Sequence, residues 1–121
     1  MKKIGKGGAL RMEKWINVVE TNCYPGRDEE FNNWYDNIHL PDILETPGFV
    51  VAKRYINKEF RDGRGKYLSI YEIETDDINK AMEARLKKRA WEVEQGRGSN
   101  LWIPVWRDVL YKQIFELSKK K

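Results

Sequence analysis

The segments FVVAKRYI (Phe49–Ile56) and YLSIYEIE (Tyr67–Glu74), joined by a loop that ends Arg61-Asp-Gly-Arg-Gly65, decide how the chain is organised. Both are rich in β-branched and aromatic residues, too short for core helices, and bounded by glycine, so they read as the two strands of a hairpin. A helical pattern lies on either side of them. Upstream, Phe31, Trp34, Tyr35 and Ile38 recur at helical spacing behind Asp28, a candidate N-cap, and Glu29 and Glu30, which suit the positive end of a helix dipole. Pro41 lacks an amide hydrogen and biases Leu40 away from helical geometry, so this helix is expected to stop or kink near His39, ahead of a turn over Asp42–Glu45. Downstream, Thr75 or Asp76 is placed to cap a second helix whose Ile78, Ala81, Met82, Leu86, Ala90 and Val93 form an apolar stripe ending at Gly96. Farther out, Trp15–Glu20 and Leu101–Tyr111 read as outer strands, and Pro104 marks the latter as an edge or a bulge.

The order βαββαβ is that of an α+β, ferredoxin-like plait, an antiparallel sheet with both helices on one face. A chain of 121 residues holds one such domain. We expect it to span 14–118, between a flexible basic N-terminal tail, 1–13, and a basic C-terminal tail, 119–121. The net charge of +4 resides in those ends, which carry seven of the 23 basic and one of the 19 acidic residues, leaving 16 against 18 in the domain. The sequence therefore gives no reason to expect a nucleic-acid partner, and no strand shows the basic-aromatic pattern of an RNA-reading sheet. No apolar run is long enough to cross a bilayer and no secretory signal is recognisable, so no membrane partner and a cytoplasmic location are expected. One histidine and one cysteine, His39 and Cys23, are too few for a zinc site built from those ligands, and no metal is expected.

The strand faces carry a second message. In Tyr67–Glu74, Leu68 and Ile70 oppose Tyr67, Ser69, Tyr71 and Ile73; in Phe49–Ile56, Val50, Ala52 and Ile56 oppose Phe49, Val51 and Tyr55. Both faces are apolar. A sheet of this kind needs a cover on its second side, and a second copy of the chain, in a C2 homodimer, is the economical one. Trp15, Asn17, Tyr55, Tyr67, Ser69 and Tyr71 either line a pocket for a small molecule or pack with their hydroxyls reaching the surface.

The run Glu30–Asp42 (EFNNWYDNIHLPD), with Pro47-Gly-Phe49, Ala52-Lys-Arg-Tyr55 and Lys66–Glu72 (KYLSIYE), resembles the dimeric α+β barrel proteins, and the EthD-like group in particular. The resemblance extends from Trp15 to about Tyr111. It implies a homodimer closed through the sheets and a cavity in each subunit for a small, often aromatic or polyketide-like ligand; because that superfamily hosts many reactions, the fold does not choose one. Asn17 resembles the strand asparagine of cofactor-free quinone-forming and haem-degrading monooxygenases of the superfamily. Those haem enzymes hold their iron through a histidine on the second helix, which this chain lacks, so no cofactor is expected.

His39 is the sharpest candidate for chemistry, as a general acid or base toward a carbonyl or enol. Asp36 or a backbone carbonyl would fix its tautomer and Tyr35 would orient the substrate. The other reading is a histidine that ends the helix and bonds the loop at Pro41. Arg54 would clamp a ligand carboxylate or pair across strands with Glu72. Trp34 joins Asn17, Arg54, Tyr55, Tyr67, Ser69 and Tyr71 as a candidate ligand contact, although tryptophans more often serve cores and interfaces. Arg85, Lys87, Lys88 and Arg89 read as a solvated helix face. The leading expectation is a cofactor-independent acid–base enzyme carrying out cyclisation, isomerisation or dehydration. Its alternatives are a non-catalytic ligand-binding or accessory protein and a cofactor-free monooxygenase.

Overall fold

A computed structural model describes residues 11–60 and 65–120, with the side chains of 104–106 left aside. The N-terminal tail through residue 10, the loop residues 61–64, the side chains of Pro104 and Trp106, and Lys121 lie outside the described residues. Four strands, β1 (Glu13–Cys23), β2 (Phe49–Ile56), β3 (Tyr67–Thr75) and β4 (Trp102–Lys112), form one antiparallel sheet in the order β2-β3-β1-β4. The helices are α1 (Asp28–Trp34), α2 (Leu40–Leu44) and α3 (Ile78–Glu94), and the plait expected from the hairpin and its flanking helices is present. Ile43 and Ala81 from the helices pack with Val19, Phe49, Tyr71 and Ile73 from the sheet, and a second cluster joins Phe31 and Tyr35 to Cys23, Tyr67 and Leu101.

The first helix does not stop at His39. Between α1 and α2 the chain makes one π-helical turn, Tyr35–His39, closed by the Leu40 amide donating to the Tyr35 carbonyl, five residues back. A wider turn takes more residues per revolution, so the four-residue step from Tyr35 to His39 falls short of a full revolution instead of overshooting it. Phe31, Tyr35 and His39 share one buried face. The change of hydrogen-bond register also accommodates Pro41, which sits in the first turn of α2, where a missing amide hydrogen is tolerated. Asp28 is the first helical residue rather than the cap, and its carboxylate accepts from Lys66 Nζ (2.8 Å) and the Tyr67 hydroxyl (2.5 Å). On α3 the cap is Asp77, which accepts from the amides of Asn79 and Lys80.

Two further departures bear on function. A bulge between Phe49 and Val51 breaks the alternation of β2, so Ala52 and Arg54 pair with the helix-facing Tyr71 and Ser69, whereas Val51 and Tyr55 turn to the open face with Leu68 and Ile70. The second is the orientation of α3. Ala81 and Glu92 are its buried residues, and the expected stripe members Leu86 and Val93 are 68% and 69% exposed. The open face of the sheet carries Ile16, Val18, Val51, Leu68, Ile70 and Val109, crossed by the ion pairs Lys53–Glu72 (2.9 Å) and Arg107–Glu20 (3.3 Å).

Gly48 turns the chain into β2 at φ +92°, and a Cβ there would stand 3.3 Å from the Glu74 carbonyl oxygen, whose residue donates its amide to the Gly48 carbonyl at 2.8 Å. Gly48→Ala is expected to cost about 1–2 kcal/mol, the usual penalty for a side chain in left-handed backbone, read as a lower denaturant midpoint at unchanged slope.

Candidate functional site

The π turn delivers His39 to the space between α3 and the start of β4. There its Nδ1 lies 3.0 and 3.2 Å from the two carboxylate oxygens of Glu92, with the side chains of His39 and Glu92 5% and 4% exposed. Trp34 stacks on the imidazole, with centroids 4.7 Å apart and planes 20° apart, while Trp102 and Tyr35 meet it edge-on. The Trp34 indole is itself anchored, donating to the Arg97 carbonyl at 2.7 Å. Behind Glu92 lies buried Asp42, which accepts two hydrogen bonds from Arg97, from Nε at 2.8 Å and Nη2 at 2.9 Å. A row Arg97–Asp42–Glu92–His39 thus crosses from α2 to α3. Burial works against the charge on Asp42, but the hydrogen bonds and positive charge of Arg97 outweigh it and hold its carboxyl below the ordinary value.

A carboxylate only accepts, so Nδ1 carries the hydrogen and Nε2 holds the lone pair. Nε2 is buried and has no hydrogen-bond partner among the described residues. Burial pushes the imidazole below its ordinary value of 6.5; Glu92 opposes the shift, and the charges of Arg85 and Arg89 add to it. The ring is therefore neutral at pH 7, in the tautomer of a general base. It forms part of the wall of a cavity of about 410 Å³, whose other lining includes Trp34, Trp102, Arg85, Arg89 and Glu92. A larger cleft of about 740 Å³ at the far end of the sheet, beside Trp15, Glu72 and Tyr111, contains neither the histidine nor an arginine.

The other expected site residues are distributed as follows. Tyr35 touches the His39 ring, but its hydroxyl accepts from Ser69 Oγ at 2.9 Å and shares a 3.2 Å hydrogen bond with Tyr71, all three residues being buried. Burial pushes both phenols up, Tyr71 well above its ordinary value, so this chain of hydroxyls stays neutral. Asp36 does not reach His39: it is exposed and accepts from Arg54 Nη1 at 3.0 Å, so the tautomer-fixing carboxylate is Glu92. Arg54 lies over the Tyr35 ring, 4.1 Å from its centroid, and also bonds Asn32, while its Nε and Nη2 are buried without a partner among the described residues; the expected pairing with Glu72 is not formed, because Glu72 pairs with Lys53. Asn17 donates to Asp108 Oδ1 at 2.7 Å and to the Val109 carbonyl at 3.2 Å. Tyr67 is tied to Asp28, and Tyr55, 48% exposed, stands on the opposite face of the sheet from Ser69 and Tyr71. Of the residues expected in a site, His39 and Trp34 line this cavity. Glu92, Arg85, Arg89 and Trp102 were not anticipated. The available signal was the spacing of Arg85, Arg89 and Glu92 at i, i+4 and i+7, which puts all three on one side of α3.

With this geometry described, comparison with solved structures is informative about the fold. HapK from Hahella chejuensis superposes with a TM-score of 0.66 at 14% identity, over 88% of this chain and 99% of its own. The chain has the fold of the dimeric α+β barrel proteins. An MhuD variant with two manganese protoporphyrin IX molecules bound per active site gives 0.63 at 12% identity, over 87% of this chain and 99% of its own. A NipSnap family protein from Agrobacterium tumefaciens gives 0.55 at 11%, over 85% and 88%. No protein-family model matches the sequence, and no curated protein does. Among the described residues no helix is long and apolar enough to cross a membrane.

The imidazole state makes a prediction. When the folded pKa lies below the unfolded value, the unfolded chain takes up the proton first, so stability is complete above pH 6.5 and declines as pH falls below it. Denaturation midpoints are expected to drop between pH 6.5 and 5, with the slope lost in His39→Gln. Because His39 is the sole histidine, its NMR titration reports the site directly, and Glu92→Gln is expected to lower its midpoint further.

Proposed function

We propose that the protein is a cofactor-independent acid–base enzyme acting on a small aromatic or polyketide-like molecule, with His39 as the general base. The observation carrying this reading is the buried Glu92–His39 pair: the carboxylate holds the hydrogen on Nδ1, and Nε2 is left as an unengaged acceptor beside a ligand-sized cavity. In such a reaction Nε2 takes the proton from a carbon next to a carbonyl, the C–H pair passes to the carbonyl oxygen as an enolate, and the imidazolium returns the proton to carbon or oxygen. Isomerisation and aldol-type cyclisation both begin this way; dehydration follows when a β-hydroxyl departs with that proton. Glu92 stabilises the imidazolium as it forms, and Arg97 keeps Asp42 charged behind it.

A second reading, a binding or accessory protein with the same cavity, draws on the enclosure of Nε2, since a sealed imidazole also suits a ligand held and released unaltered. The monooxygenase reading is weaker, because the Asn17 amide it would use is engaged with Asp108 and Val109. Deuterium incorporation separates the first two. Aryl 1,3-diketones incubated in D₂O are expected to exchange their α-hydrogens, with about 10²-fold or greater loss in His39→Ala. Unchanged exchange in that variant rules out the histidine role, and a ligand recovered without exchange supports binding alone.

We further propose a homodimer formed through the open sheet face, where Val18, Ile70 and Val109 make an apolar centre flanked by the Lys53–Glu72 and Arg107–Glu20 pairs. Ile70→Lys is expected to halve the mass in light scattering while leaving the circular dichroism spectrum unchanged.

A further inference from the structure

Arg85 and Arg89 sit one turn apart on α3, and both line the cavity with His39. Their charges are not consumed by the protein: among the described residues neither forms an ion pair, while other cations of this region do, Lys88 with Glu45 (2.8 Å) and Arg97 with Asp42. Arg85 is the more informative. Its guanidinium carbon lies 5.6 Å from the Tyr71 ring centroid, over the buried hydroxyl cluster, and its Nε is buried with no hydrogen-bond partner among the described residues. A buried guanidinium N–H left unbonded carries a desolvation cost, and the side chain that bears it lines the cavity. Glu92 does not bond that N–H, because its oxygens face Nδ1 of His39. Trp34 and Trp102, meeting edge to face at 5.3 Å, supply the cavity's aromatic side, with Val93, Ile103 and the Gly98–Asn100 loop completing the wall.

We propose that the ligand of this cavity is a planar aromatic anion, its carboxylate or equivalent acidic group bonded by Arg85 and Arg89 and its ring packed against the Trp34–Trp102 wall. The proposal rests on the cavity being the working site and names the class of molecule it takes. A guanidinium presents paired N–H donors that match a carboxylate, and two arginines on one face give the cavity a positive pole against its neutral aromatic side. Placed so, the anion sets the carbon next to its ring or side-chain carbonyl toward His39, and Arg85 stands where negative charge develops on an enolate oxygen.

The test uses 2-naphthoate and 2-naphthamide, which match in shape and differ in charge. Titration into the full-length protein is followed by calorimetry and by the NMR signal of His39, which reports occupancy of this cavity. The expected result is that naphthoate shifts the His39 signal and binds about tenfold or more tightly than naphthamide, as charge-assisted hydrogen bonds require. Arg89→Ala and the conservative Arg85→Lys, both checked for native circular dichroism, are each expected to lose most of that preference. Equal binding of the two probes, a preference unchanged in both variants, or no His39 shift with either probe overturns the proposal. His39→Ala separates it from the acid–base reading: naphthoate binding retained with diketone exchange lost supports both, whereas naphthoate selectivity retained with exchange also retained leaves the anion site standing and removes the base.

Discussion

The contact between the His39 imidazole and the Glu92 carboxylate governs much of what is unusual in this molecule. Both side chains are almost wholly buried, and removing one partner of such a pair costs about 3–5 kcal/mol because it leaves the other buried and uncompensated. The pair accompanies the orientation of α3. With Glu92 inward and Arg85 at the cavity, Leu86 and Val93 are left largely exposed, while Ile78, Ala81 and Met82 keep the first turns of the helix on the core. On the other side, the π turn keeps His39 on the buried face of Phe31 and Tyr35.

Around the pair, the polar interior divides into two parts with different characters. The Ser69–Tyr35–Tyr71 hydroxyls satisfy one another, are held neutral by burial, and act as a hydrogen-bonded piece of core. The His39–Arg85 side is unfinished: two residues that line one cavity each hold a buried nitrogen, Nε2 of His39 and Nε of Arg85, without a partner among the described residues, as do Nε and Nη2 of Arg54 over the Tyr35 ring. A satisfied polar cluster specifies packing, whereas an unsatisfied one beside a cavity is what ligand chemistry needs. The structural neighbours share only the scaffold around this arrangement, and at 11–14% identity they transmit no ligand or reaction to it.

Much of the fold was legible along the chain because it rests on local rules. Alternation in Tyr67–Glu74, helical spacing from Phe31 to Ile38 and the turns at Gly48 and Gly96 each act over a few residues, and the element order follows from them. The misreadings came where a longer-range demand overrode a local one. Pro41 is a helix breaker in isolation, but a π turn and a first-turn position absorb it. Val50 and Val51 fit a regular strand, yet the bulge against β3 shifts the frame, so Arg54 joins the face of Phe49 and Tyr55 leaves it.

For the site, the sequence by itself determined the scarce reagents: a single histidine, at the end of the first helix, a proline two residues beyond it, and a domain whose charge is near balance once its ends are set aside. What that histidine faces was decided only by the tertiary structure. Asp36 and Asp42, each three residues away, are the nearest carboxylates along the chain but turn to Arg54 and Arg97, whereas Glu92, 53 positions distant, becomes the partner because α3 packs beside the π turn. Helical proximity places side chains on neighbouring parts of a surface; it does not choose which of them is sealed from water. That choice belongs to the packing of one element on another, and with it the tautomer of His39, the free edge of Arg85 and the chemistry the cavity can host.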